Sequence, residues 1–203
     1  MKVIKWKILL ITCAVCLLPI LFGILAWDAL PDTMAIHFNI ENQPDGFASK
    51  PFAVFGMPCL MVLLQIFCCA VNDINAAKHG ARVKFERATK WIIPCMTVIL
   101  QALTIGLALG MPIDVRRVVA VIVGAVLLTV GNYLPKFDYI KNYDVSAEKA
   151  RKINRFIGFE TVILGICFIL SIFLPPRFTV GCIILLIPYT AIGIWYGFKE
   201  GRK

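Results

Sequence analysis

The chain has 203 residues, a mean hydropathy of +0.82 and 60% hydrophobic residues. Soluble domains run nearer ~45–50% apolar, so a water-soluble globule is excluded and a bilayer is the natural solvent for this sequence. The net charge of +9 does not point to nucleic acid, because the bases sit in short patches between apolar runs, where membrane orientation places them.

A spanning helix needs about 20 mostly apolar residues. Six stretches qualify, at about 8–27, 52–71, 91–109, 118–134, 157–174 and 178–198. The expectation is an all-α membrane protein, a single polytopic domain over residues 1–203. It has six transmembrane helices and an ordered, partly extended outer loop between the first two. Lys2, Lys5 and Lys7 precede the first run, as they would a signal peptide. That run exceeds the ~7–15 residues of a signal core, and Ala26-Trp27-Asp28-Ala29 is a poor small-residue cleavage site. It reads as a retained helix. Pro19 and Pro188 fall mid-helix and predict kinks. Pro58 and Pro94 read as lying near helix starts, where proline is tolerated.

Lys and Arg set the orientation. With the N-terminus cytoplasmic, all but four of the 21 bases fall inside; the exceptions are Lys50, Arg116, Arg117 and Arg177. Both termini are therefore expected in the cytoplasm. The loop at 28–51 is expected outside. Trp6, Trp27, Trp91 and Trp195 fall at predicted span ends, where indole favours the headgroup level. The eight cysteines all lie in apolar runs. Cys there behaves as a small hydrophobe, so Cys13-x-x-Cys16 reads as packing.

Three polar residues interrupt the predicted spans: Gln65, Gln101 and Glu160. Each is expected to face the bundle interior and bond to a neighbouring helix. Glu160 reads as the one acid inside a span. It lies five residues past Arg155, about 7–8 Å deeper at 1.5 Å per residue, so snorkelling or pairing with a base competes with a proton relay. On the inner side, Ala76 to Gly80 reads as a helix end with Gly80 as the C′ residue. Gly131-Asn132-Tyr133-Leu134-Pro135-Lys136 closes the fourth span, with Pro135 stopping the helix. A new helix starts near Asp144 or Ser146 as N-cap. Its basic stretch, Lys149 to Arg155, suits an anionic inner leaflet.

The outer loop carries the candidate site. From Thr33 to Glu41 the residues alternate, with Met34, Ile36, Phe38 and Ile40 on one face and Thr33, Ala35, His37, Asn39 and Glu41 on the other. Period two predicts an extended segment with a dry face and a wet face. Pro44-Asp45-Gly46 reads as the turn, through the fixed φ of Pro and the freedom of Gly. Three readings stay open. The loop could be a structural lid, with His37 hydrogen-bonded and Asp45 as an Asx-type cap. It could be a recognition surface for a peptide or lipid headgroup. It could be a metal or catalytic site using His37 with Asp32, Glu41 or Asp45, although no H-x-x-x-H spacing, catalytic triad or phosphate loop occurs. No enzyme, cofactor or nucleic-acid partner is expected.

The motif Leu30-Pro31-Asp32-Thr33, Ile36-His37-Phe38-Asn39, Pro44-Asp45-Gly46 and Ser49-Lys50, followed by Met57-Pro58, resembles the N-terminal domain of the SdpI/YhfL family of small bacterial membrane proteins. Gly131, Asn132, Tyr133 and Pro135 resemble the motif that opens that family's C-terminal half. The resemblance implies immunity to, or sensing of, a secreted peptide toxin. Pro31, Asp32, His37, Asn39, Asp45 and Lys50 would then meet the toxin outside, and a soluble repressor would be held inside. Two departures stand out. Asn42 occupies a position where the family often has Gly, and tolerates the left-handed region. The run from Phe137 to Tyr143 leads straight to Ala150-Arg151 without the family's usual continuation. The alternative reading is a small transporter or its accessory subunit, its path lined by Gln65, Gln101 and Glu160.

Overall fold

Proline decides where the first apolar run breaks. In the computed structural model, which describes residues 4–39, 41–79, 83–136 and 147–201, helix α1 (Trp6–Leu17) ends one residue before α2 (Pro19–Leu25) begins. Pro19 has no N–H for the carbonyl of Val15. The Leu18 N–H serves it, donating to both Ala14 O and Val15 O at 3.0 and 3.3 Å. A short 3-10 turn, Trp27–Ala29, then leads to an antiparallel hairpin, β1 (Thr33–Phe38) and β2 (Pro44–Ser49). The chain re-enters helix through a π-helical stretch, Phe52–Gly56, continuous with α3 (Met57–His79). Helix α4 (Val83–Ala108) returns. It closes in a Schellman motif: Gly110 takes φ +82°, its N–H bonds Leu107 O, and the Met111 N–H bonds Gly106 O. Residues up to Val115 form one compact unit.

The second unit, Arg116–Lys203, contains most of α5 (Val115–Tyr133), a 3-10 turn (Leu134–Lys136), α6 (Ala147–Leu170), a second 3-10 turn (Ser171–Phe173) and α7 (Pro176–Gly201). Helices α5 and α6 cross backbone to backbone. A Cβ placed on Gly131 would stand 2.8 Å from Gly158 O, and one on Gly124 would stand 2.8 Å from Gly165 O. Small residues permit that approach in an apolar medium, where close packing drives association. Arg116, expected as an exception to the charge bias, serves the carbonyls at the end of α6. Its Nη1 donates to Ser171 O, Leu174 O and Thr179 Oγ1 at 3.3, 3.4 and 3.0 Å.

Among the described residues, five helical stretches are long and apolar enough to cross a membrane: Trp6–Leu25, Phe52–Lys78, Phe85–Ala108, Val115–Tyr133 and Arg151–Phe173. That is the layout of a multi-pass membrane protein. In α7 the apolar stretch that qualifies is the shorter Pro176–Leu186. The ends of the spans differ from those expected. Helix α3 runs past residue 71 and α4 starts before residue 91, so Asp73, Glu86 and Lys90 lie within the helices and not in a connector. Glu160 is therefore not the one acid inside a span. The expected roles of Ile40, Gly80, Asp144 and Ser146 fall outside the described residues.

Pro94 is not near a helix start either. It lies in the interior of α4, where it strands the carbonyl of Lys90 four residues back. Gln65 of α3 supplies the missing donor, Nε2 to Lys90 O at 2.9 Å. The converse holds at Pro58. The Met57 N–H reaches back five residues to Phe52 O, and Pro58 has no N–H, so Ala53 O is left without a backbone donor. Gln101 of α4 donates to it, Nε2 to O at 2.8 Å. Each helix thus repairs the other's proline. Replacing Gln65 by Leu should destabilise the protein by about 1–3 kcal/mol, the cost of a buried unpaired carbonyl. Adding Pro94→Ala should recover most of the loss, because alanine at that position restores the N–H. Thermal unfolding in detergent micelles reads both; an equal loss in single and double variants would refute the pairing.

Candidate functional site

The hairpin sits on an apolar floor. Met34 is buried, and with Leu30, Ala53, Val54 and Ile105 it forms one cluster, against which Trp27, Ile36 and Ala108 also pack. The alternation read from Met34 to His37 is realised: Met34 points in, while His37 points out with 71% of its side chain exposed.

Pro44-Asp45-Gly46 is not the turn. These residues begin β2, pairing with Phe38 and His37 across a register irregularity. The strands are instead joined where the Asn39 N–H bonds Gln43 O at 2.9 Å and the Asn42 N–H bonds Asn39 O at 3.1 Å. Asn42 takes φ +64°, the left-handed region its short side chain tolerates. Gly46 is required for a different reason than φ. A Cβ there would stand 2.7 Å from the His37 Cβ.

Asn39, expected on the wet face as a contact residue, is committed to the turn. Its Oδ1 accepts from the N–H groups of Glu41 and Gln43 at 3.1 and 2.8 Å, the Asx role expected of Asp45. Asp45 instead accepts a hydrogen bond from His37, Nδ1 to Oδ1 at 2.5 Å. Lys50 is mostly buried at the base. Its N–H bonds Asp32 O at 2.8 Å, and its ammonium lies 3.3 Å from Trp27 O, 3.4 Å from Asp32 Oδ1 and 5.3 Å from the Trp27 ring centroid. Trp27 in turn meets Phe55. At the tip, Asn42 Nδ2 donates to Ile113 O at 3.3 Å and its Oδ1 accepts from the Val115 N–H at 2.8 Å. Val115 opens α5, so Asn42 satisfies one of the unpaired donors at a helix start. The hairpin is held at base, floor and tip.

Of the candidate residues, the structure brings together His37 with Asp45 and Asp32 with Lys50. Pro31, which precedes all four in sequence, is exposed. A His–carboxylate pair that leaves Nε2 open can orient a ring toward a partner. Among the described residues, no group of three His, Cys, Asp or Glu side chains is placed to hold a metal ion. In the second unit, Gly131 and Pro135 pack on Gly158, Tyr133 ends α5, and Asn132 is exposed. Glu160 Oε2 is buried without a hydrogen-bond partner among the described residues.

A second polar constellation was missed in the sequence. Lys90 and Asp73 have side chains only 1% exposed and meet at 2.5 Å. Lys90 also meets Glu86 at 2.9 Å. Glu86 takes the Lys5 ammonium at 2.6 Å, and Asp73 Oδ2 accepts the Lys5 backbone N–H at 3.0 Å. Lys5 is the N-cap of α1, so Asp73 supplies a carboxylate to the positive end of that helix. Two acids and two bases make the set neutral. The signal was present: Gln65, Cys69 and Asp73 recur every four residues on α3, and Glu86 and Lys90 share that spacing on α4. Average hydropathy concealed it by treating these turns as connector.

Breaking a buried pair leaves an uncompensated charge and costs about 3–5 kcal/mol, whereas replacing the whole set is often neutral. Lys90→Met should therefore lower the unfolding midpoint sharply. Asp73→Asn with Glu86→Gln and Lys90→Met should recover most of it, because the remaining Lys5 is partly exposed and can turn to water. A Lys90→Met protein that melts like the parent would show that the cluster does not hold the helices.

The hairpin, and not the charge cluster, lies in the stretch that a family model covers. Comparison with curated proteins and with solved structures gave no match. Residues 14–62 match a family model described as "Domain of unknown function (DUF1648)", a domain found in membrane proteins. The match runs from the middle of α1 through the hairpin and the π-helical stretch to just past Pro58.

Proposed function

We propose that this is an SdpI-like immunity or sensing protein of the bacterial plasma membrane, with six spans and both termini cytoplasmic. It meets a secreted peptide toxin or another envelope-active molecule through the outer hairpin. The hairpin's division of labour carries this reading. Lys50, Asn39, Asn42 and Met34 are committed to seating it, while His37, Asp45 and Phe47, 59% exposed, face outward. A two-stranded ribbon whose outer edges pair with no further strand among the described residues is a surface to which an extended peptide can add a strand, with exposed side chains giving specificity. The Lys and Arg distribution supports the outside placement, and helix α7, continuous to Gly201, supports a sixth span.

A second reading, a small transporter or accessory subunit, draws on the buried Glu160 carboxyl oxygen without a partner among the described residues and on the polar seam of α3 and α4. Both glutamines of that seam are engaged in repairing backbone, which weighs against a path through them. Glu160→Gln should abolish proteoliposome flux if this reading is right; an unchanged flux would dismiss it.

For the first reading, deletion of the gene should sensitise cells to the secreted toxins of sibling cells. His37→Ala, Asp45→Ala and Phe47→Ser should do the same at unchanged protein level, because none of the three seats the hairpin. Sensitivity unchanged in the deletion and in all three variants would rule it out.

A further inference from the structure

The second unit carries an open groove of about 470 Å³ between the end of α5 and the basic part of α6, which the outer hairpin does not involve. Its floor is apolar: Gly131, Pro135, Phe156, Gly158 and Val162 line it, with Phe159 at the lip, 67% exposed. Its volume lies in the range of ligand-binding clefts, about 300–1,000 Å³. Gly131 and Gly158 bring α5 and α6 into contact at this floor, where a Cβ on either would stand 2.8 Å from the other's carbonyl oxygen.

Two polar side chains also line this groove, Asn132 and Arg155. Both are exposed, and neither has a hydrogen bond or ion pair among the described residues. Their neighbour Lys152 differs, being paired with Glu148 at 3.4 Å. Arg155 and Phe159 are four residues apart, so they share one stripe of α6. The stripe passes from cation to aromatic in the direction from the helix start into its apolar part. That is the order a lipid presents from phosphate to acyl chain.

We propose that this groove binds one anionic phospholipid, its phosphate held by the Arg155 guanidinium and the Asn132 amide and an acyl chain laid along the apolar floor. Several features select this occupant. The groove opens on a helix that is long and apolar enough to cross a membrane, so lipid is the solvent there. The uncommitted charge is positive. A guanidinium matches a phosphate with two parallel donors, and basic pockets between spanning helices are suited to acidic headgroups.

The test is native mass spectrometry of the full chain released from nanodiscs made of phosphatidylglycerol and phosphatidylcholine in equal amounts. The parent protein should retain one phosphatidylglycerol. Arg155→Gln should weaken that retention about tenfold, the loss of one charge-assisted contact, and Asn132→Ala should weaken it less. Arg151→Gln and Lys152→Gln, which remove the same charge outside the groove, should leave it unchanged. Arg155 is exposed, so the variant is expected to fold, and circular dichroism checks that it does. Equal losses in all three charge variants would mean diffuse attraction and overturn the site. So would retention unaffected by Arg155→Gln, or phosphatidylcholine held as firmly as phosphatidylglycerol.

Discussion

In a bilayer no water serves a stray carbonyl, and each unpaired backbone group costs several kcal/mol. That constraint organises the first unit. Pro58 and Pro94 sit on facing helices, and each strands a carbonyl that a helix would otherwise bond. Gln101 answers the first and Gln65 the second. The two glutamines, buried and intramembrane, are thus best read as backbone repair before they are read as a path or a site. The exchange also fixes the register of α3 on α4, because an amide reaches only a carbonyl level with it.

What the register places together follows from it. Asp73 lies two turns beyond Gln65 on the same face of α3, and Lys90 is the residue whose carbonyl Gln65 holds. The backbone bond and the Lys90–Asp73 ion pair therefore share one residue and reinforce one alignment. Lys5 joins α1 to the same point twice, by its ammonium to Glu86 and by its backbone N–H to Asp73. Burying the three charges of Asp73, Glu86 and Lys90 is unfavourable by itself; charge matching with Lys5 and the helix start bonded to Asp73 offset it. At the other end of the unit, the π-helical stretch that Gln101 supports provides Ala53 and Val54 to the floor beneath Met34. The seat of the hairpin thus rests on the same proline repair as the core.

How much of this could be read from residues alone depended on range. Local patterns were legible. The apolar runs mark helices, the alternation over Thr33–Phe38 separates buried Met34 from exposed His37, and Asn42 takes the left-handed φ its position suggested. Patterns with two physical meanings were not. Pro-Asp-Gly suits a turn, yet Pro also suits the first position of an edge strand, and Gly46 is needed for the approach of His37 and not for φ. Asn39 and Asp45 exchanged roles because both can cap a turn, and only the register decides which is in reach. Apart from the Glu86–Lys90 pair, the charge cluster depends on pairings 17 to 81 residues apart, which no window along the chain displays. Lys90 looked like one more cytoplasmic base; its burial is a property of α1 and α3 as much as of α4.

The same constraint narrows where recognition can occur. A side chain already engaged in the fold has little to offer a partner, since releasing it costs what it contributed. In the hairpin that removes Lys50, Asn39 and Asn42 from the candidates and leaves the His37–Asp45 pair, with His37 Nε2 open, beside Phe47 on the opposite strand. Held at base, floor and tip, these three lose little further freedom on meeting a ligand, and order already in place is what raises affinity for a given area. By the same reasoning Arg116, for all its unexpected position, belongs to the fold, because it serves two carbonyls just past α6 and the Thr179 hydroxyl of α7. Arg155 serves no acceptor among the described residues.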